Sequence, residues 1–234
     1  MMKLVAKICD QCGKHFEYES ACWESGPRAG REILSLTSCL DCHEARCHEY
    51  ENQNRALKSH HRVELWNRIC PPQYRSTDVL LLPATYRDVI AEWTPETSSG
   101  IGFVGSAGIG KTRAAFLLLK KSFDTGVPCQ YINAVIFNEL VVQMFSDSKE
   151  RRHRALDTLH AIRTSRVLLF DDLGKGKLTE RAETELYSLL EHRTSRQLPT
   201  HWTANSNGEE LLSRMSPDRG EPILRRLAEF SRIV

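Results

Sequence analysis

The chain has 234 residues, 41% of them hydrophobic and 26% charged, with a formal net charge of +2. That length allows one α/β domain and a small accessory module, and the composition is that of an ordinary globular protein. A balance this near neutral excludes binding to nucleic acid through net charge alone, and the apolar runs are too short to span a membrane. The N-terminus runs straight into paired cysteines with no signal-peptide stretch, so a cytoplasmic location is expected.

Three regions follow one another: residues 1–47, rich in Cys and His; residues 48–70, a helical linker; and residues 71–234, a larger domain. Six of the 8 cysteines fall in the first region. Cys9, Cys12, Cys39 and Cys42 form the pattern C-x2-C-x26-C-x2-C. Two such hooks can close a tetrahedral thiolate site around a structural zinc ion, with no open position for water. So small and polar a module needs a metal to be stable. Cys22, Cys47, His15, His43 and His48 compete as ligands, and the long gap has room for a hairpin around Gly26-Pro27.

Residues 48–70 lack Gly and Pro and carry Leu57, Val63, Leu65 and Ile69, which predicts a helix stopped by Pro71-Pro72. From Gly100 the pattern alternates between strand and helix. GIGFVG, CQYIN, RVLLFDD and THWTAN read as strands. KTRAAFLLLKKSF, VIFNELVVQMF, RHRALDTLHAI and AETELYSLLEHRTS read as helices. RVLLFDD is apolar without alternation, as in a strand covered on both faces. The fold class is therefore α/β, a parallel sheet flanked by helices.

Gly105-Ser106-Ala107-Gly108-Ile109-Gly110-Lys111-Thr112 matches G-x-x-x-x-G-K-[ST] between a strand and a helix. Its glycines let successive N–H groups face the phosphates of ATP at the positive end of a helix. Lys111 would reach the terminal phosphates, and the Thr112 hydroxyl would coordinate Mg2+. Val167-Leu168-Leu169-Phe170 then ends in Asp171, suited to the magnesium shell, and Asp172, suited to polarising the attacking water. Asn205, at the tip of the THWTAN strand, is positioned to orient that water.

The run Ile69-Cys70-Pro71-Pro72-Gln73-Tyr74-Arg75, the P-loop, LLFDDLG at 168–174 and LPTHWTANSNGEEL at 198–211 occur in one order. Together they resemble the AAA+ ATPases of the DnaC-type helicase loaders and their IstB-like relatives, over residues 69–230. The cysteine module likewise resembles those of loader-like proteins from phages and mobile elements. The resemblance implies a P-loop NTPase (AAA+) that hydrolyses ATP slowly, works as a homo-oligomer and binds single-stranded DNA. It implies a replicative helicase as partner, with a transposase as the alternative and an ATP-switched scaffold with little turnover as a third reading. An arginine from the neighbouring subunit would complete each site. In Glu221-Pro222-Ile223-Leu224-Arg225-Arg226-Leu227, Arg226 is the better match for it. Lys149, Arg151, Arg152 and Arg154 lie where loaders hold single-stranded DNA. The helical lid of many AAA+ proteins is expected to be minimal or absent. Whether the cysteine module meets protein or DNA is left open.

Overall fold

A computed structural model describes residues 2–29, 31, 36–205 and 208–234, and of residues 51–58 the backbone alone. The chain divides into two compact units, Met1–Glu64 and Leu65–Val234.

In the first unit, strands β1 (Met2–Ile8) and β2 (His15–Ala21) pair antiparallel, with Ile8 opposite His15. The turn between them carries Cys9 and Cys12, and Gly13 takes a φ of 71° there. A long helix, α1 (Leu40–Ile69), follows; it starts earlier than the sequence suggests and ends before Pro71. The hairpin expected around Gly26-Pro27 lies partly outside the described residues; across its turn the N–H of Trp23 donates to the Arg31 carbonyl at 3.1 Å. Gly26 sits in a tight turn, with the N–H of Ala29 donating to its carbonyl. Residues 30 and 32–35 of that segment lie outside the described residues.

The second unit is built on five parallel strands. In chain order these are β3 (Gly100–Val104), β4 (Cys129–Asn133), β5 (Val167–Leu173), β6 (Thr200–Ala204) and β7 (Ser231–Ile233), in spatial order β4-β5-β6-β3-β7. α2 (Ala84–Glu92) precedes them, and between them run α3 (Lys111–Asp124), α4 (Ala134–Gln143), α5 (Lys149–Thr164), α6 (Glu180–Ser195), α7 (Gly208–Ser213) and α8 (Pro217–Glu229). The parallel sheet wrapped by helices is as the alternating pattern predicts, and its strands fall where they were read.

The apolar run of β5 explains the layering. Val167 and Leu169 join a cluster with α2 and α3 on one face of the sheet, whereas Leu168 and Phe170 join a cluster with α4, α6 and α8 on the other. Side chains alternate faces along a strand, so a strand buried on both sides must be apolar at every position. β3 can lie beside β6 because it carries glycines: a Cβ on Gly102 would fall 2.5 Å from the Trp202 indole. That indole is itself held, its Nε1–H donating to Ser231 Oγ at 2.9 Å. Arg193, fully buried, donates to the carbonyls of Ile162, Ser165 and Pro199 at 2.8–2.9 Å and clasps the strand ends opposite the site.

Candidate functional site

Parallel strands carry their loops to one end of the sheet, and the C-terminal ends of β3, β5 and β6 meet there around a cleft of about 290 Å³. After β3 the chain curls through Gly105, Gly108 and Gly110 and enters α3 at Lys111. Gly110 caps the helix at φ 93°, where only glycine is unstrained, and a Cβ there would also strike Leu82 at 2.7 Å. The N–H groups of Ser106 to Gly110 donate to no protein acceptor among the described residues. The cradle of donors that the motif demands is present.

Lys111 is buried, and its ammonium donates to the carbonyls of Gly105 at 2.8 Å and Ser106 at 2.6 Å. Burial pulls its pKa below the ordinary lysine value, against the opposing pull of Asp172 and Asp171. One residue on, the Thr112 hydroxyl donates to Asp171 Oδ1 at 2.9 Å. Motif and strand end, 59 residues apart, are thus in direct contact.

Asp171 is almost fully buried and accepts a second hydrogen bond from Thr203 on β6, at 2.6 Å. Burial raises its pKa, and the bonds from Thr203 and Thr112 hold the rise in check. Thr203 in turn accepts from the backbone N–H of Asp172 at 2.9 Å, so one hydroxyl fixes both aspartates. Asp172 sits at φ 57°, in the left-handed region, and turns its carboxylate toward the cleft. Lys175 reaches back to Asp172 Oδ2 at 2.8 Å.

Asn205 lines the cleft, as do Tyr74, Arg113 and Lys175. Tyr74 stacks on Phe116 with ring centroids 5.0 Å apart, and the Arg113 guanidinium lies over the Tyr74 ring. Sequence reasoning missed Thr203, Lys175 and Tyr74. Thr203 carried one signal, its place two residues before Asn205 on a strand neighbouring β5.

Arg226 stands apart from the cleft. On α8 it forms an ion pair with Glu191 of α6 at 2.7 Å, which raises its pKa, while Arg225 beside it is exposed. Lys149, Arg151, Arg152 and Arg154 are exposed in the first turns of α5, and Arg154 pairs with Glu150. None of the four lines the cleft.

In the first unit the sulfur atoms of Cys9, Cys12, Cys39 and Cys42 lie within 4.8 Å of one another, with Cys12 and Cys39 at 3.7 Å. One hook lies in the β1–β2 turn and the other at the start of α1. The N–H of Asp10 donates to the Thr37 carbonyl and stitches them together. Burial raises the Cys9 thiol, but hydrogen bonds from the N–H groups of Cys39, Cys12 and Gln11 outweigh it and bring it down to about 6. Cys42 is pushed up to about 12, first by its hydrogen bonds to Cys12 and Cys39. Four sulfurs at this spacing, with backbone donors aimed at one of them, fit a tetrahedral thiolate metal site. Cys22 and Cys47 are not in the cluster: Cys22 bonds to the Ser20 carbonyl and Cys47 lies beside His43.

No family model matches the chain. Over 119 residues it is 29% identical to the replicative helicase loader DnaI of Bacillus subtilis (strain 168), a match covering 50% of this chain and 37% of that protein. Among solved structures, the DnaC helicase loader superposes with a TM-score of 0.53 at 21% identity, over 69% of this chain and 97% of that one. The replication initiator DnaA, bound to AMPPCP and single-stranded DNA, gives 0.53 at 14% identity, over 70% of this chain and 49% of the other. Among the described residues no helix is long and apolar enough to cross a membrane. By its sheet order and its P-loop the chain has the fold of these structures, and over the matched residues its sequence resembles a replicative helicase loader.

Proposed function

We propose that this protein is an ATP-dependent loader of a replicative helicase, acting in the cytoplasm as an oligomer on single-stranded DNA. One observation carries the ATPase reading: Thr112 and Thr203 both bond Asp171, beside a donor-lined loop and the more open Asp172. Thr112 and Asp171 would hold Mg2+, which supplies charge neutralisation for the phosphates. Lys111 exchanges its own loop carbonyls for phosphate oxygens. Asp172 accepts the proton of a water attacking the terminal phosphorus, and the bond to the bridging oxygen breaks as that bond forms. Asn205, from the end of β6, orients that water.

The cysteine cluster would hold Zn2+ and stabilise a module for docking. Four thiolates leave the ion no open position, so it has no part in the chemistry. The basic start of α5 opposes the helix dipole, so Lys149, Arg151 and Arg152 do not serve the stability of that helix, whereas Arg154 pairs with Glu150. Tracking of DNA phosphates by Lys149, Arg151, Arg152 and Arg154 accounts for them. The likeness to DnaI and DnaC favours a helicase over a transposase as partner.

The deciding experiment mixes the purified protein with the replicative helicase of its own host, circular single-stranded DNA and ATP. Helicase should be recovered on the DNA only with all components present. Replacing Arg151, Arg152 and Arg154 together by Ala should lower DNA affinity and flatten its salt dependence. Recovery of a transposase from host extract, with no helicase bound or loaded, would refute the loader assignment.

A further inference from the structure

Lys175 was not part of any motif, yet it stands in the cleft with the phosphate-binding loop. Three features of its surroundings bear on what it does. Its side chain is 64% exposed but lines the same cleft as Lys111, Thr112, Asp172 and Asn205. Its ammonium donates to Asp172 Oδ2 at 2.8 Å, and its backbone N–H donates to the Asp172 carbonyl at 2.9 Å. The turn that presents it is tightly wound, with Asp172, Gly174 and Gly176 all at positive φ. A Cβ on Gly174 would meet Leu211 at 2.4 Å, which fixes the path of that turn against α7.

The turn is rigid where it leaves the strand, and the cation it carries is long, flexible and open to solvent. An ion pair whose ammonium is this exposed is weak and opens readily, although the Asp172 side chain is 25% exposed. A terminal phosphate carries more charge than a carboxylate and offers three acceptor oxygens, so it is the stronger partner for the same ammonium.

We propose that Lys175 senses the terminal phosphate of a nucleoside triphosphate: its ammonium leaves Asp172 for that phosphate, and the exchange unmasks the Asp172 carboxylate. Asp172 is then shielded whenever a diphosphate is bound. Triphosphate is preferred over diphosphate because only it repays the broken pair. No neighbouring subunit is needed for this discrimination, since the lysine and its partner are on one turn of one chain. The proposal rests on the nucleotide-binding reading above and adds to it a residue that tells one nucleotide state from the other.

The test measures binding of AMPPCP and of ADP, each with Mg2+, to the full-length protein by calorimetry. Unmodified protein should prefer AMPPCP. Lys175→Met should weaken AMPPCP binding by about tenfold while ADP binding stays within about twofold, since one charge-assisted contact is lost. Lys175→Arg should keep the preference, and Asp172→Asn should strengthen AMPPCP binding because the lysine is no longer held. Equal weakening of both nucleotides in Lys175→Met would make the lysine a brace for the turn and overturn the proposal, as would no change in either. If unmodified protein bound neither nucleotide, the nucleotide reading itself would fall.

Discussion

Two adjacent aspartates at the end of β5 have different surroundings, and that difference divides their roles. Asp171 is enclosed and tied to two threonine hydroxyls, which suits a fixed ligand. Asp172 opens on the cleft, and among the described residues its carboxylate pairs with the exposed Lys175, which suits a proton acceptor. Asp172→Asn should therefore bind ATP at least as tightly and lose at least about a hundredfold in turnover, whereas Lys111→Ala should lose binding itself. Normal turnover in Asp172→Asn would show that another group takes the proton. Asp171, Thr112 and Lys111 were legible in the sequence because phosphate chemistry demands those residues at fixed spacings. Thr203 was not: inside a strand it reads as a β-former, and only the register of β5 against β6 gives its hydroxyl two aspartates. His201, also on β6, has a purely structural role. Its Nδ1 accepts from the Ile101 N–H at 3.1 Å, and burial, helped by Arg193, pushes its pKa down to about 3. The unfolded chain thus binds a proton that the folded one refuses, so stability falls as pH drops from the ordinary histidine value toward that depressed one. Between about pH 7.5 and about pH 5 this single group should cost about 2 kcal/mol in urea unfolding. The loss should shrink in His201→Asn; an unchanged loss would assign it to other groups.

Among the elements, those with strong periodicity or continuous burial were readable, and the weakly patterned ones were not. β5 and α6 announce themselves because both sheet faces are covered and Leu186, Leu189 and Leu190 recur at helical spacing. The β1–β2 hairpin went unread because it covers so little: Met2, Leu4 and Ile8 are each about 60% exposed. A hairpin this thin cannot be stable through apolar burial, since two strands alone are marginal in water. Its turn holds Cys9 and Cys12, and the start of α1 holds Cys39 and Cys42, so one metal ion would lock both elements together. The purified protein should carry about one zinc per chain. Chelation should melt the Met1–Glu64 unit, seen as loss of strand signal and protease cleavage there, while Leu65–Val234 stays folded. Protein purified without chelator that contains no zinc, yet keeps this unit folded, would contradict it. Cys39→Ser should reproduce the effect of chelation and Cys22→Ser should not, because the Cys22 sulfur is engaged elsewhere.

At the scale of the whole molecule, the Leu65–Val234 unit brings its P-loop, two carboxylates and Lys175 around one cleft, and Arg225 and Arg226 lie away from it. The Arg226 guanidinium is held by Glu191 at 2.7 Å and lies near Glu229 at 3.5 Å, both on the same chain. Arg113 lines the cleft from its own chain, so a role for Arg226 lies at the cleft of a second copy, and its place in the last turn of α8 suits assembly side by side. The pair with Glu191 fixes how Arg226 is presented and would have to stretch or open when a neighbour's phosphate arrives. Arg226→Ala should then bind ATP nearly as the unmodified protein does and lose hydrolysis, because its target is on the neighbour. Lys111→Ala has the opposite defect: it cannot bind ATP but can still lend its arginine. Mixing the two variants should restore part of the turnover that neither has alone, since mixed assemblies contain interfaces with an intact cleft and an intact arginine. Arg225→Ala, tested in the same way, separates the two neighbours in sequence. Restoration with Arg225→Ala and not with Arg226→Ala would move the role to the exposed residue and leave Arg226 as a clasp between α6 and α8. No restoration with either, in a protein that stays monomeric with ATP and DNA, would mean that each chain hydrolyses ATP alone.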